Sequence, residues 1–333
     1  MKFGPVPLSD AEGATLAHSV ALPDGRLRKG RVLSAEDISI MNAAGFADVI
    51  VAQLDPEDVD EDTAAAQLAK ALCGPGLRMS NAFTGRVNLL ADGPGVVKLD
   101  RNALEAVNAV HPMITLATVP PFQQMAAGGM VATIKIISYG VPEAALNAAC
   151  TAAGSDALRL RAPQLRDATL IVTNVEGGAG EKGRAAIEAR LDTLGVGLTD
   201  VVSVPHQVEP LTDAIAKATT DLVLILTASA TSDINDVAPT ALRRAGGEVE
   251  RFGMPVDPGN LLFLGQLNAR PVIGLPGCAR SPALNGADWV LSRVICGVPV
   301  TSQDIAAMGV GGLLKEIPTR PQPRDPGKGA GGR

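Results

Sequence analysis

Aromatic residues are scarce in this chain: one Trp, one Tyr and six Phe in 333 residues. Any core must therefore be assembled from Ala, Val, Leu and Ile. The four cysteines, Cys73, Cys150, Cys278 and Cys296, form no C-x-x-C pair. That spacing excludes a zinc framework and a disulfide scaffold, and it suits free thiols in a reducing cytoplasm. His18, His111 and His206 are scattered, which speaks against a histidine-based metal cluster. Lys and Arg form no block and the net charge is −6, so nucleic acid is not an expected partner. No stretch approaches the roughly 18 apolar residues of a membrane span. The opening MKFGPVPLSD has no apolar run of signal-peptide length, so a cytoplasmic location is expected.

The length and the 46% apolar, 19% charged composition suit two ordinary globular domains. Residues 1–160 read as an N-terminal α+β domain. Ala14–Leu22 and Arg26–Leu33 flank a Pro23-Asp24-Gly25 turn, a hairpin signal. Ser34 with Asp37 reads as a capping pair for a helix that Gly45 stops, and Asp48–Ala52 follows as a strand. The acidic run Pro56–Asp62 reads as the solvated start of an Ala-rich helix over Thr63–Leu72. Further on, Arg101–Val110 and Glu143–Ala153 read as helices, and Val87–Leu90, Ile114–Val119 and Met130–Ser138 as strands. Lys135 interrupts the last of these. Period two sets it on the face opposite Ile134 and Ile136, either as an exposed strand residue or as a cation facing a ligand. A charged linker is expected over Gly154–Arg166.

From Ala168 strands and helices alternate, the pattern of a mainly parallel sheet in a three-layer α/β/α domain over 166–316. Expected strands are Thr169–Thr173, Val201–Val204 and Leu222–Leu226, with helices over Arg184–Leu194 and Leu211–Ala218. Two later apolar runs, Leu261–Leu264 and Val272–Leu275, complete the set. Polar and special residues punctuate them. Thr227, Ala228, Ser229, Thr231, Ser232 and Asp233 follow the Leu222 run, Pro258-Gly259-Asn260 precedes the Leu261 run, and Pro276, Gly277, Cys278, Arg280 and Ser281 follow the Val272 run. Ligands of open α/β sheets sit outside the carboxyl ends of the strands, so these loops are the candidate site. Asn235 or Asp236 can cap a helix ending near Arg244, and Ser281 with Pro282 can open another running to Ile295. Helix N-termini favour anions, and Arg280 could clamp a phosphate beside one. Asp233 and Asp236 could hold Mg²⁺ or serve as plain caps. The glycine-rich stretch 177–183 could wrap a phosphate, but it carries no Gly-Lys-Ser/Thr. The Pro- and Gly-rich end, 317–333, is expected to be a disordered tail.

The order of these pieces resembles the molybdopterin-binding domain shared by the molybdotransferases and adenylyltransferases of molybdenum cofactor synthesis. That family has a Thr-Gly-Asp-Glu strand end, a Gly-Gly-x-Ser/Thr-x-Gly loop followed by Asp, a Pro-Gly-x-Pro turn and a Leu-Pro-Gly-Asn-Pro motif. Here the corresponding segments are Thr173-Asn174-Val175-Glu176, Ala228–Asp233 with Asp236, Pro258-Gly259-Asn260-Leu261, and Leu275-Pro276-Gly277-Cys278-Ala279. The phrase Lys29–Val49 is also similar to one in the molybdotransferases. The departures are specific: Ala228 and Ser229 replace two glycines, and Cys278-Ala279 replaces Asn-Pro. The N-terminal half shows no counterpart of the glycine-rich and Thr-Gly-Ala-Pro motifs of a full molybdotransferase. The resemblance implies molybdopterin or molybdenum cofactor as ligand, nucleotide-linked or not. It implies a transferase-like step with Asp236 and Glu176 in catalytic roles and Mg²⁺ at Asp236, or else a non-catalytic carrier. It further implies a homo-oligomer and a cytidylyltransferase-type protein partner.

Overall fold

The computed structural model describes residues 1–176 and 183–314. The chain forms two compact units, Met1–Gly93 with Val97–Leu160, and Pro94–Val96 with the chain from Arg161 onward.

The first unit is α+β and holds two apolar cores. The smaller packs the helix Ala35–Ala43 on a sheet of Lys2–Pro7, Asp48–Gln53 and Thr15–Leu16, around Leu16, Leu33, Met41 and Val51. Ser34 caps that helix and shares a capping box with Asp37, as expected. The hairpin is narrower than expected, with strands Val20–Leu22 and Gly25–Leu27. The larger core buries Glu61–Leu72, Arg101–Val110 and Glu143–Ala153 against a four-stranded sheet in the order Ile114–Thr118, Met130–Ile136, Arg86–Ala91, Leu77–Met79. Asp60 caps Glu61–Leu72 by accepting from the Asp62 and Thr63 amides, so the end of the acidic run is a helix start, whereas Asp58–Asp60 is a strand paired with Gly140–Pro142. Lys135 lies between buried Ile134 and Ile136, donates to the Thr84 carbonyl and stands 4.0 Å from Glu61. The expected linker is corrected in part: Leu158–Arg161 is a strand, because Leu158 and Leu160 are buried in this core.

The second unit is a three-layer α/β/α sandwich. Its elements, numbered along the chain, are β1 (Asp167–Asn174), α1 (Arg184–Asp192), β2 (Gly197–Pro205), α2 (Val208–Lys217), β3 (Leu222–Leu226), α3 (Val237–Arg244), β4 (Glu248–Phe252), β5 (Phe263–Leu267), β6 (Arg270–Leu275), α4 (Gly286–Ile295) and α5 (Ser302–Ala307). The sheet order is β2-β1-β3-β6-β5-β4. Strands β2, β1, β3 and β6 pair in parallel, while β5 runs antiparallel to both of its neighbours. The central strands are apolar on both faces, as strands covered by helices on both sides must be. Leu170, Val172, Leu224, Leu226 and Ile273 enter one core with α1 and α4. Ile171, Val223, Ile225, Val272 and Phe263 enter the other with α2 and α3.

Two expectations need correction here. β5 starts later than the run Leu261–Leu264 suggests, and it pairs with Glu248–Phe252, an edge strand. The last long helix does not begin at Ser281. Gly277–Arg280 forms a 3-10 turn, and Asn285 caps α4 through a capping box with Asp288. The Ser281 hydroxyl instead accepts from the Ala283 amide at 3.2 Å. Asn285 wins because both partners of its box are in register, whereas Leu284, three residues after Ser281, has no polar side chain to complete a box.

Candidate functional site

The sheet order dictates where a ligand can enter. The step β1 to β2 moves one way across the sheet, and β2 to β3 returns past β1. Right-handed crossovers then require α1 and α2 on opposite faces, and the two cores show them there. Beyond β3 the chain passes to α3, on the face opposite α1. The carboxyl ends of β1 and β3 are therefore neighbours whose chains leave to opposite sides, which opens a crevice between them.

Thr173, at the end of β1, is fully buried. Its hydroxyl accepts from the Ala228 amide at 2.9 Å, just beyond β3, and stands 2.9 Å from His206 Nδ1, just beyond β2. Three strand ends are thus tied at one hydroxyl. His206 escapes sequence reasoning because a lone histidine after an apolar strand carries no spacing signal. Thr227 and Thr231 are also buried, with hydroxyls 3.4 Å apart, and they close the turn that Ala228–Asp233 makes.

Arg280 reaches this region from the end of β6. Its Nη2 donates to the Thr227 carbonyl at 2.9 Å. Burial pulls its pKa below the ordinary guanidinium value. Gly183, at the start of α1, packs directly on it. A Cβ there would stand 2.8 Å from Arg280 Cα, Cβ and Cγ, and the Gly183 φ of +100° lies in the left-handed region. α1 has no side-chain cap, so its first amides and the Arg280 guanidinium meet at one end of the sheet.

Arg190 is a further residue that the sequence does not reveal. From α1 it pairs with Asp288 and donates to the carbonyls of Ala279 (3.0 Å), Ser281 (2.7 Å) and Ala283 (3.1 Å). One guanidinium therefore shapes the whole turn that carries Gly277, Cys278, Arg280 and Ser281.

Of the two roles expected for the acids, both take the capping one. Asp236 caps α3: Oδ1 accepts from the Val237 amide at 2.7 Å and Oδ2 from the Ser232 amide at 3.0 Å. Asp233 Oδ1 accepts from the Asn235 amide at 2.7 Å. Both are thus used to fold the loop. Glu176 is exposed beyond β1, and the glycine-rich 177–182 that follows it lies outside the described residues, as does 315–333. The turn Pro258-Gly259-Asn260 also has a structural task. The Gly286 amide donates to the Pro258 carbonyl at 2.8 Å, and a Cβ on Gly259 would stand 2.7 Å from Gly286 N. Pro258 and Gly259 are buried under the start of α4, so the amide that opens that helix is already taken. Asn260 remains exposed. Among the described residues, no group of three or more His, Cys, Asp or Glu is placed to hold a metal ion. None of the described helices is long and apolar enough to cross a membrane.

A family model for a domain of unknown function (DUF8806) matches residues 5–53, a stretch confined to the first unit. No curated protein sequence matches this chain. Among solved structures, the chain is similar to the molybdopterin biosynthesis MoeA protein of Pyrococcus horikosii. The identity is 14%, the TM-score 0.31, and the match covers 89% of this chain and 75% of that one. So low a score defines no shared fold. The functional reading therefore stands on the sequence motifs and the geometry of the crevice.

Proposed function

We propose that the second unit binds molybdopterin, or a nucleotide-linked form of it, in the crevice between β1 and β3. The carrying observation is convergence. Thr173, Thr227–Ser232, and Pro276–Ser281 resemble motifs of one pterin-binding family, lie over a hundred residues apart at the extremes, and gather at one end of one sheet. The chemistry of the gathered groups suits a phosphate-bearing ligand. Arg280 supplies a cation, α1 supplies the positive end of its dipole, and Ser229 and Ser232 supply hydroxyls at the loop.

Binding and delivery is the better-supported role within this reading. A transfer step would use Asp236 for Mg²⁺, yet each Asp236 oxygen already accepts a backbone amide. Recruiting the ion would weaken the cap of α3. The residues present do not fit a Mg²⁺ centre, and no step is derived through one.

The test is ligand retention. The purified protein is incubated with molybdopterin, freed of unbound ligand and oxidised, and the retained pterin is read by fluorescence. Wild type is expected to retain pterin without added Mg²⁺, Arg280→Ala to lose most of it, and Asp236→Ala to keep it. Absence of pterin from wild type would remove the proposal. Retention that needs Mg²⁺ and fails in Asp236→Ala would restore the transfer reading.

A further inference from the structure

We infer that Thr173 holds His206 as the Nε2–H tautomer, and that this Nε2–H donates a hydrogen bond to a phosphate oxygen of the ligand in the β1–β3 crevice. The tautomer follows from proton counting. Thr173 has no solvent exposure, and its hydroxyl has one proton and two acceptor lone pairs. The Ala228 amide can only donate, and it occupies one lone pair. The hydroxyl proton is then left with one neighbour, His206 Nδ1 at 2.9 Å. Were Nδ1 protonated, the hydroxyl would receive two donors and its own proton would be buried without an acceptor, at a cost of roughly 1–3 kcal/mol. Nδ1 is therefore the acceptor, and the ring proton sits on Nε2.

The backbone fixes the ring as well. The His206 amide donates to the Asn174 carbonyl at 2.9 Å, so both ends of the residue are tied to the end of β1. Nε2 lies across the ring from Thr173 and makes no hydrogen bond among the described residues, while the residue is only half-buried. His206 stands beyond β2, beside the end of β1 that borders the crevice, and its half-buried Nε2 donor, without a protein partner among the described residues, is open to an acceptor there. The next residues point the same way. Gln207 precedes α2 without a side-chain cap, leaving donors beside the imidazole. Glu209, the one acid in the first turn of α2, is paired with Arg244. An anionic oxygen answers this set of groups. The identity of that oxygen as a phosphate rests on the function proposed above, whereas the tautomer does not.

The experiment uses the full ¹⁵N-labelled chain. Long-range ¹H–¹⁵N correlation of the imidazoles reads the His206 tautomer, with inorganic pyrophosphate and molybdopterin as separate probes. The free protein is expected to show the Nε2–H form, Thr173→Ser to keep it, and Thr173→Val to lose it. His206→Asn can reach Thr173 but lacks the distal donor. It should bind both probes about ten-fold more weakly, equivalent to about 1.4 kcal/mol. His206→Gln, whose amide reaches the Nε2 position, should recover part of that loss. An Nδ1–H form or a tautomer mixture in wild type overturns the inference. So does undiminished binding by His206→Asn. If wild type retains no pterin while pyrophosphate still perturbs His206 and the Asn variant loses it, the pterin reading falls and this inference stands.

Discussion

Arg190 shows how much one side chain can organise. Its guanidinium offers five donors in a rigid fork, and it spends them on Asp288 and on carbonyls of a turn that has no regular ladder of its own. Both partners of the ion pair are largely shielded from solvent. Arg190→Met should cost about 3 kcal/mol, since it strands a shielded carboxylate and several carbonyls. Arg190→Lys should recover less than half, because an ammonium cannot span the same acceptors. Denaturant unfolding checks both, and equal stability of Lys and Arg would sink the fork argument. Asp37 carries a pH prediction. The Arg31 guanidinium at 2.8 Å, aided by the Ser34 amide and hydroxyl, holds its carboxyl below the usual aspartate range against a smaller desolvation cost. A carboxyl with a depressed folded value stabilises fully above its unfolded value, about 3.9, and loses that contribution as pH falls through the folded value. Thermal melts from pH 5 to pH 2 should therefore fall more steeply for wild type than for Asp37→Asn. Parallel slopes would show that the Arg31 pair does not persist in solution.

Helix starts decide the local geometry of the site. α3 begins at Asp236 and α4 at Asn285, each with a side chain accepting from the first turn. Replacing either by Ala should cost about 1 kcal/mol. Ser281→Ala removes no cap and should stay within about 0.5 kcal/mol of wild type. Urea midpoints of the three variants give the order directly, and a large loss from Ser281→Ala would return the start of α4 to that residue. The capping box at Ser34 and Asp37 could be read from the sequence because it is a contact three residues apart. The box of Asn285 with Asp288 has the same spacing, and the Ser281-Pro282 pair set the expected start of α4 a few residues too early.

At the scale of the molecule, three residues matter out of proportion to their number. Pro94–Val96 belongs to the second unit although the rest of that unit begins at Arg161. Val96 is fully buried in the core of α1 and α4. Val96→Ala should lower the stability of that unit by about 1.5 kcal/mol. Trp289, the sole tryptophan of the chain, lies in α4 and reports on the same core, so its fluorescence in urea isolates the effect. An unchanged Trp289 midpoint would mean that Val96 contributes nothing to this core. The fragment 161–314 should show at least the same deficit, since it lacks the residue altogether.

The sequence by itself determined the α/β alternation beyond Ala168, the apolar central strands, the turn residues and the cap at Ser34, and it narrowed the cap of α3 to Asn235 or Asp236. Each of these is a local pattern with a period or a short fixed spacing, so the chain displays it without folding. Only the tertiary structure decided that β5 runs antiparallel between β4 and β6, and that Leu158–Arg161 is a strand. It alone brought His206 to Thr173, 33 residues away, and Arg190 to the turn near Arg280, about 90 residues away. The reason is physical. A contact between distant residues leaves no periodic trace in sequence, because sheet order and crossover hand set it, and the packing of whole layers fixes both.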